Sequence, residues 1–376
     1  MRVPRFPGVL AVCAAFVAAC GGRADSTSSG PTAGPPSASG TPSASPPATC
    51  DASAASDIEV SSDDLNGFPP YAVAGCTLAY VNRSGDLVVR DLGTPADSIL
   101  ASAAERPRRP TVSSELIAWE ADESGHSVVR VRAGGVTRTI AGGFASAGEP
   151  RANASSVAFT AWNGTAATDD TDVWLYDATT GDARVVLGGP GQQRFSDVSS
   201  AYVAASDFAE DPDGRFDNDG KDLADIVVLD RASGMVVKRR LAGKQAFPML
   251  ANDGVVAYLA WNGVHPEPKL VAYELRSGSV VGDPLADVKV ADVVYASSDY
   301  ARPAAIAGTL EWVANPDGRT TLYRAPADGS SSPVAVKGLA DLQLYAPSPT
   351  SAGFTVLATS PVSSAVVVPR LRAVAR

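Results

Sequence analysis

Three observations predict an all-β fold, a single β-propeller of seven blades behind a disordered N-terminal tether. Seven stretches of the 376-residue chain repeat one pattern, each carries period-two apolarity, and helical spacing is almost absent after the first residues. A proline or phenylalanine opens each repeat, at Pro70, Pro110, Pro150, Phe195, Pro248, Pro303 and Pro347, spaced 40, 40, 45, 53, 55 and 44 residues apart. Units of that length, each built from several strands, cannot bury both faces of a four-stranded sheet until neighbours stack around a common axis. An array of immunoglobulin-like sandwiches needs ~100 residues per unit with no shorter period. Six blades plus an irregular segment is the alternative count.

Nine residues after three of the prolines stand Trp119, Phe159 and Trp312. Ala79, Ala204, Ala257 and Val356 hold that station in the other repeats, and Tyr80 and Tyr258 follow directly in the first and fifth. An aromatic or small residue there fits a strand packed between sheets. Each repeat continues with an alternating strand that closes on a turn, as in Asp172 to Gly181 and Asp225 to Gly234, the pattern of a strand and hairpin. The short run Asp57-Ile58-Glu59-Val60 is placed to supply the outermost strand of the last blade, which removes both free sheet edges.

These motifs resemble the TolB-like β-propeller repeat family. The matching segments are Val157-Ala158-Phe159, Ile117-Ala118-Trp119, Val256-Ala257-Tyr258, Leu175-Tyr176-Asp177 and Leu322-Tyr323, within residues 66 to 376. The resemblance implies a proline at the start of each innermost strand, followed by these runs as second and third strands. Most repeats lack the Ser-Pro-Asp-Gly turn common in the family, and the seventh is degenerate.

The N-terminus divides into a leader, residues 1–19, and a linker, residues 20–49, ahead of the propeller domain, residues 50–376. Arg2 and Arg5 precede an apolar run from Gly8 to Ala19, too short to span a bilayer. The run ends Val17-Ala18-Ala19-Cys20, which resembles the bacterial lipobox, with Cys20 as the lipidated first residue of the mature chain; an ordinary secretory signal with an incidental cysteine is the alternative. Several acyl chains anchor a protein stably. The expected location is therefore the cell membrane or outer membrane, facing the periplasm or the exterior. Of the next 29 residues, 27 are Ser, Pro, Gly, Thr or Ala, which cannot bury enough apolar surface to order themselves. As a flexible coil this tether spans on the order of 30 Å.

Four cysteines are present; with Cys13 in the leader and Cys20 lipidated, Cys50 and Cys76 remain as one pair outside the reducing cytosol. A disulfide between them would stabilise by about 3 kcal/mol; two free thiols are the alternative. Without the two leader arginines, 41 acids face 29 basic residues, which disfavours nucleic acid as a partner.

The acids concentrate in the long connection between the second and third strands of blade four. There Asp211, Asp213, Asp217, Asp219 and Asp222 resemble fragments of calcium loops, with hard oxygens and a turn-forming glycine. A solvated acidic loop is the competing reading, since Arg215 and Ile226 occupy positions where a full loop has ligands. Trp162-Asn163 and Trp261-Asn262 belong to a repeated Ala-Trp-Asn-Gly segment beside the long loops of blades three and five. On that face they are candidates to stack on a sugar or a partner's side chain; packing between blades is the alternative. With only His126 and His265, neither a zinc site nor a Ser-His-Asp arrangement is indicated, and no catalytic residue is assigned. The expected function is a non-enzymatic, membrane-anchored scaffold for an envelope protein, peptide or glycan. The alternative is a calcium-dependent hydrolase or lyase that works with paired carboxylates on extracellular polymers.

Overall fold

The structure, a computed structural model, describes residues 50–376 except 163–169, 217–221, 240–242, 253, 262–268, 276–278, 281–301, 315–318 and 363–367. Cys20 and the tether lie outside the described residues. Seven antiparallel sheets follow one another along the chain, over residues 71–101, 108–139, 146–187, 193–239, 244–280, 304–335 and 342–375. The first six each hold four strands in sequence order from the axis outwards. Apart from two one-turn 3-10 helices, Ala52–Ala55 and Ala103–Glu105, the described secondary structure is β.

The seventh blade is irregular where the sequence is degenerate. Its innermost strand is split into Leu342–Leu344 and Ser348–Pro349, both paired with Phe354–Pro361, which pairs in turn with Arg370–Ala375. The fourth strand comes from the other end of the domain. Asp57 N donates to Leu371 O (2.8 Å), Leu371 N to Ile58 O (2.9 Å) and Val60 N to Pro369 O (3.1 Å), so residues 57–60 close the ring as the sequence predicted. Across the seam, the buried Tyr71 hydroxyl donates to Ala346 O (2.6 Å) and accepts from Ala358 N (2.9 Å), which ties blade one to blade seven. Burial raises the pKa of that hydroxyl well above the phenol range.

The aromatic station is the core. Trp119, Phe159 and Trp312 are completely buried against the preceding blade, while Ala79, Ala204, Ala257 and Val356 are completely buried on the other face of their sheets, against the following blade. Large and small residues fill the wedge between neighbouring sheets. Ala79, Val81, Trp119 and Val128 pack together across blades one and two, each large side chain worth roughly 1.5–3 kcal/mol when fully buried.

Two details of the repeat are corrected. In blade four the partner of Ala204 is Asp197, matching Thr111 with Ala118 and Arg151 with Ala158. Ser196, not Phe195, therefore holds the proline position, and the aromatic ring hid a shift of one residue. Nor do all the prolines start their strands: Pro110, Pro150 and Pro248 lie inside Arg108–Val112, Ser146–Asn153 and Lys244–Asn252. A residue without an N–H is tolerated there because the ladder is interrupted by a bulge.

Cys50 and Cys76 form a disulfide. Cys76 sits in the turn between the inner and second strands of blade one, and Asp51 N donates to Leu92 O (2.9 Å) beside the turn between its third and outer strands. Residue 50 thus lies on the turn face of the ring. The opposite, loop face carries the long connections and the crossings into each blade.

Candidate functional site

The bulges build the site. Just before the proline position, Arg109, Glu149, Phe195 and Phe247 adopt left-handed backbone, with φ of 53°, 58°, 56° and 58°. Strand register shifts at the same places, between Arg108 and Thr111, Arg194 and Asp197, and Ala246 and Met249. A bulge adds one residue and re-aims a side chain, and holding non-glycine residues in this region costs on the order of 1–3 kcal/mol each. Repeated in four consecutive blades, it brings one set of side chains together at the loop-face end of the axis. Phe68 reaches the same place from the segment that crosses from the closing strand into blade one.

An aromatic cluster fills that end. Around Phe195, ring centroids lie at 4.5 Å for Phe247, 4.9 Å for Phe216, 6.1 Å for Phe68 and 6.3 Å for Phe208. Guanidinium groups from three blades, Arg109, Arg151 and Arg302, stand 4.8, 5.2 and 5.0 Å from the Phe68 centroid, which puts that ring on the axis. The array then runs outward over blades three to five. Arg194 lies over Phe195 (4.8 Å) and Trp162 (5.5 Å), and Lys244 over Trp261 (4.8 Å) and Phe216 (5.3 Å). Each such contact is worth about 0.5–2 kcal/mol depending on desolvation.

Carboxylates neutralise many of these cations. Glu149, fully buried, accepts from Arg194 Nε (3.2 Å), Thr160 Oγ1 (2.9 Å) and Phe195 N (3.1 Å). Burial alone would raise its pKa, but Arg194 and Arg109 outweigh that and hold it below the ordinary value. Glu120 accepts from Arg108 Nε (2.6 Å) and Arg109 Nη1 (3.2 Å), and Arg109 also reaches Asp64 (3.2 Å). In blade four Lys238 sits 3.1 Å from both Asp207 and Asp225 and 3.8 Å from Glu210. Burial raises the Asp225 carboxyl, with Asp207 and Glu210 adding to the effect and Lys238 opposing it.

Of the residues singled out from the sequence, Trp162 and Trp261 are half-buried and belong to this belt, each with a cation over its ring. Asn163, Asn262, Asp217, Asp219 and His265 lie outside the described residues. The described calcium candidates have separate tasks. Asp211 accepts from Asp213 N (3.1 Å) and Leu223 N (2.7 Å), Asp213 accepts from Arg215 N (3.0 Å), and buried Asp222 pairs with Lys244 at 3.0 Å. Among the described residues no group of three or more His, Cys, Asp or Glu is placed to hold a metal. His126 is exposed at the start of the strand His126–Ala133. Sequence reasoning missed Phe68, Arg109, Arg151, Arg194, Phe247, Lys244 and Arg302. A usable signal was present for four of them: Arg109, Arg151, Phe247 and Arg302 directly flank repeat prolines.

No protein-family model matches the chain, and no curated protein sequence matches it. Among solved structures it is similar to the β-propeller domain of the Trilobed protease from Pyrococcus furiosus, at 12% identity over 85% of this chain and 93% of that one, with a TM-score of 0.58. It is also similar to the acylaminoacyl peptidase of Pyrococcus horikoshii, at 11% identity over 77% of this chain and 48% of that one, TM-score 0.54. TolB from Acinetobacter baumannii aligns at 14% identity over 70% of this chain and 63% of that one, TM-score 0.43. The Trilobed protease propeller has an open velcro topology, whereas residues 57–60 close the ring here. At these identities the likeness to the two peptidases is one of fold. The chain is a seven-bladed β-propeller, closed by residues 57–60.

Proposed function

We propose that the protein is a non-enzymatic binding scaffold, held on a membrane by lipid on Cys20, that engages an envelope protein, peptide or glycan through the loop face of blades three to five. The observation that carries this reading is the cation and aromatic belt from Trp162 through Arg194, Phe195 and Lys244 to Trp261, braced by Glu149, Phe195 and Phe247, which are held in strained backbone. Strained non-glycine backbone clusters at binding and catalytic sites because the surrounding structure must over-determine it. Half-buried tryptophans beside fixed cations are the composition of binding hot spots. The carboxylates nearest the belt, Glu149 and Asp222, are engaged by Arg194 and Lys244, which supports binding over acid–base chemistry.

The test uses the full chain in its native envelope. Trp162→Ala combined with Trp261→Ala is expected to weaken capture of a cross-linked partner by roughly a thousandfold, as loss of two hot-spot residues worth about 2 kcal/mol each would do, while melting stays cooperative. Cys20→Ser is expected to move the protein from the membrane to the soluble fraction. The same partner captured equally well by the double variant would remove the assigned face, and membrane retention of Cys20→Ser would remove the anchor.

A further inference from the structure

Below the aromatic cluster a cavity of about 180 Å³ lies on the axis of the ring, lined by residues of all seven innermost strands or their approaches. An engineered cavity of about 150 Å³ takes up benzene, so this one has room for a small organic molecule. Its charged lining is uneven: Arg151 and Arg302 face a single acid, Asp197. That acid is partly committed, since its Oδ2 accepts from Leu250 N at 2.8 Å.

The two arginines are incompletely satisfied. Arg302 is 4% exposed; its Nη2 makes only long contacts, 3.3–3.4 Å, to the carbonyls of Phe195, Ser196 and Pro248, and its Nη1 has no hydrogen-bond partner. Arg151 Nε is likewise buried without one. Burial lowers both guanidinium pKa values, and for Arg302, brought to about 9, repulsion from Arg151 adds to the effect. Two cations that repel each other at one desolvated wall carry a cost that an anion beside them would relieve. Neighbouring acids are spoken for: Glu149 holds Arg194, and Asp64 and Glu120 hold Arg109.

We infer that the axial cavity is an anion site for a small monocarboxylate, held by the Arg151 and Arg302 guanidinium groups that line it, with its body along Val73, Val112 and Met249. Two of the three charged groups that line the cavity are cations, so its wall favours an anion, and a monoanion perturbs the surrounding cluster of Asp64, Glu120, Glu149 and Arg109 less than a phosphate dianion would. A planar carboxylate also suits the fork of a guanidinium. The site is separate from the loop-face belt and does not depend on what that belt binds.

Calorimetric titration of the full chain in detergent, with propionate, its neutral isostere propionamide, and inorganic phosphate, tests the inference. Propionate is expected to bind saturably at one site, at least tenfold tighter than propionamide, and to raise the melting temperature. Arg302→Gln is expected to abolish that binding; if this variant fails to fold, Arg151→Gln serves, and the propionate to propionamide ratio in the unaltered protein is informative without either. Absence of saturable propionate binding, equal binding of propionamide, preference for phosphate, or propionate binding unchanged in both folded variants would each overturn it.

Discussion

Glu149→Ala is expected to destabilise the domain by about 3–5 kcal/mol, the range for removing one partner of a buried ion pair. Glu149 is fully buried, and its two oxygens take Arg194 from the next blade, the Thr160 hydroxyl and the Phe195 amide. Alanine leaves a guanidinium and a bulged backbone N–H without acceptors in the middle of the ring, and the left-handed Phe195 loses the bond that holds it. Glu149→Gln separates charge from shape. Because the folded carboxyl is held below its ordinary value, Glu149 contributes stability that is fully present above the ordinary glutamate pKa and lost as pH falls through the folded pKa. The difference in urea-unfolding free energy between the natural chain and Glu149→Gln is therefore expected to be greatest near neutrality and to shrink in acid. A loss below about 1 kcal/mol for the alanine variant, less than a single charged hydrogen bond, or a difference independent of pH would show that Glu149 is not the pin between blades three and four.

Removing the disulfide, by Cys50→Ser with Cys76→Ser, is expected to cost about 3.5 kcal/mol from loop entropy for the sequence separation of 26. The consequence reaches beyond that number because of what the loop encloses. Between Cys50 and Cys76 lie the closing strand 57–60, Phe68 at the centre of the cation cluster, and Tyr71 at the seam with blade seven. Hydrogen exchange is expected to rise most along Arg370–Ala375, the strand that residues 57–60 cover, before it rises in blades three to five. Uniform acceleration over all blades, or an unchanged midpoint, would mean that the crosslink does not guard the closure.

Much of this was legible in the sequence because it depends on local rules that repeat. Trp119, Phe159 and Trp312 recur at a fixed distance from a proline, and a wedge between sheets needs just such a residue. The closing strand could be read because a seventh blade with three strands of its own leaves an edge that four apolar-alternating residues elsewhere can cover. The disulfide followed from counting cysteines. What escaped was whatever depends on backbone of the wrong sign or on partners in another blade. Nothing in Arg109-Pro110 or Glu149-Pro150 announces a positive φ, yet that conformation turns both side chains into the site. The pairing of Glu149 with Arg194 spans 45 residues, and Phe68 reaches the axis only because the ring closes around it. The acids of blade four show how much of a string's meaning depends on partners. As a string they suggest a solvated or calcium-binding loop, while Asp222 is buried against Lys244, and Lys238 gathers Asp207 and Asp225.

Hydrogen–deuterium exchange of the full chain, with and without its captured envelope partner, tests the binding face most directly. Protection is expected at the loop-face ends of the strands, around Trp162, Arg194, Lys244 and Trp261, with the turn-face hairpins near Leu92, Ala154 and Thr180 unchanged. Protection confined to those turn-face hairpins would place the partner on the opposite side of the ring and contradict the assignment of the belt as the binding surface.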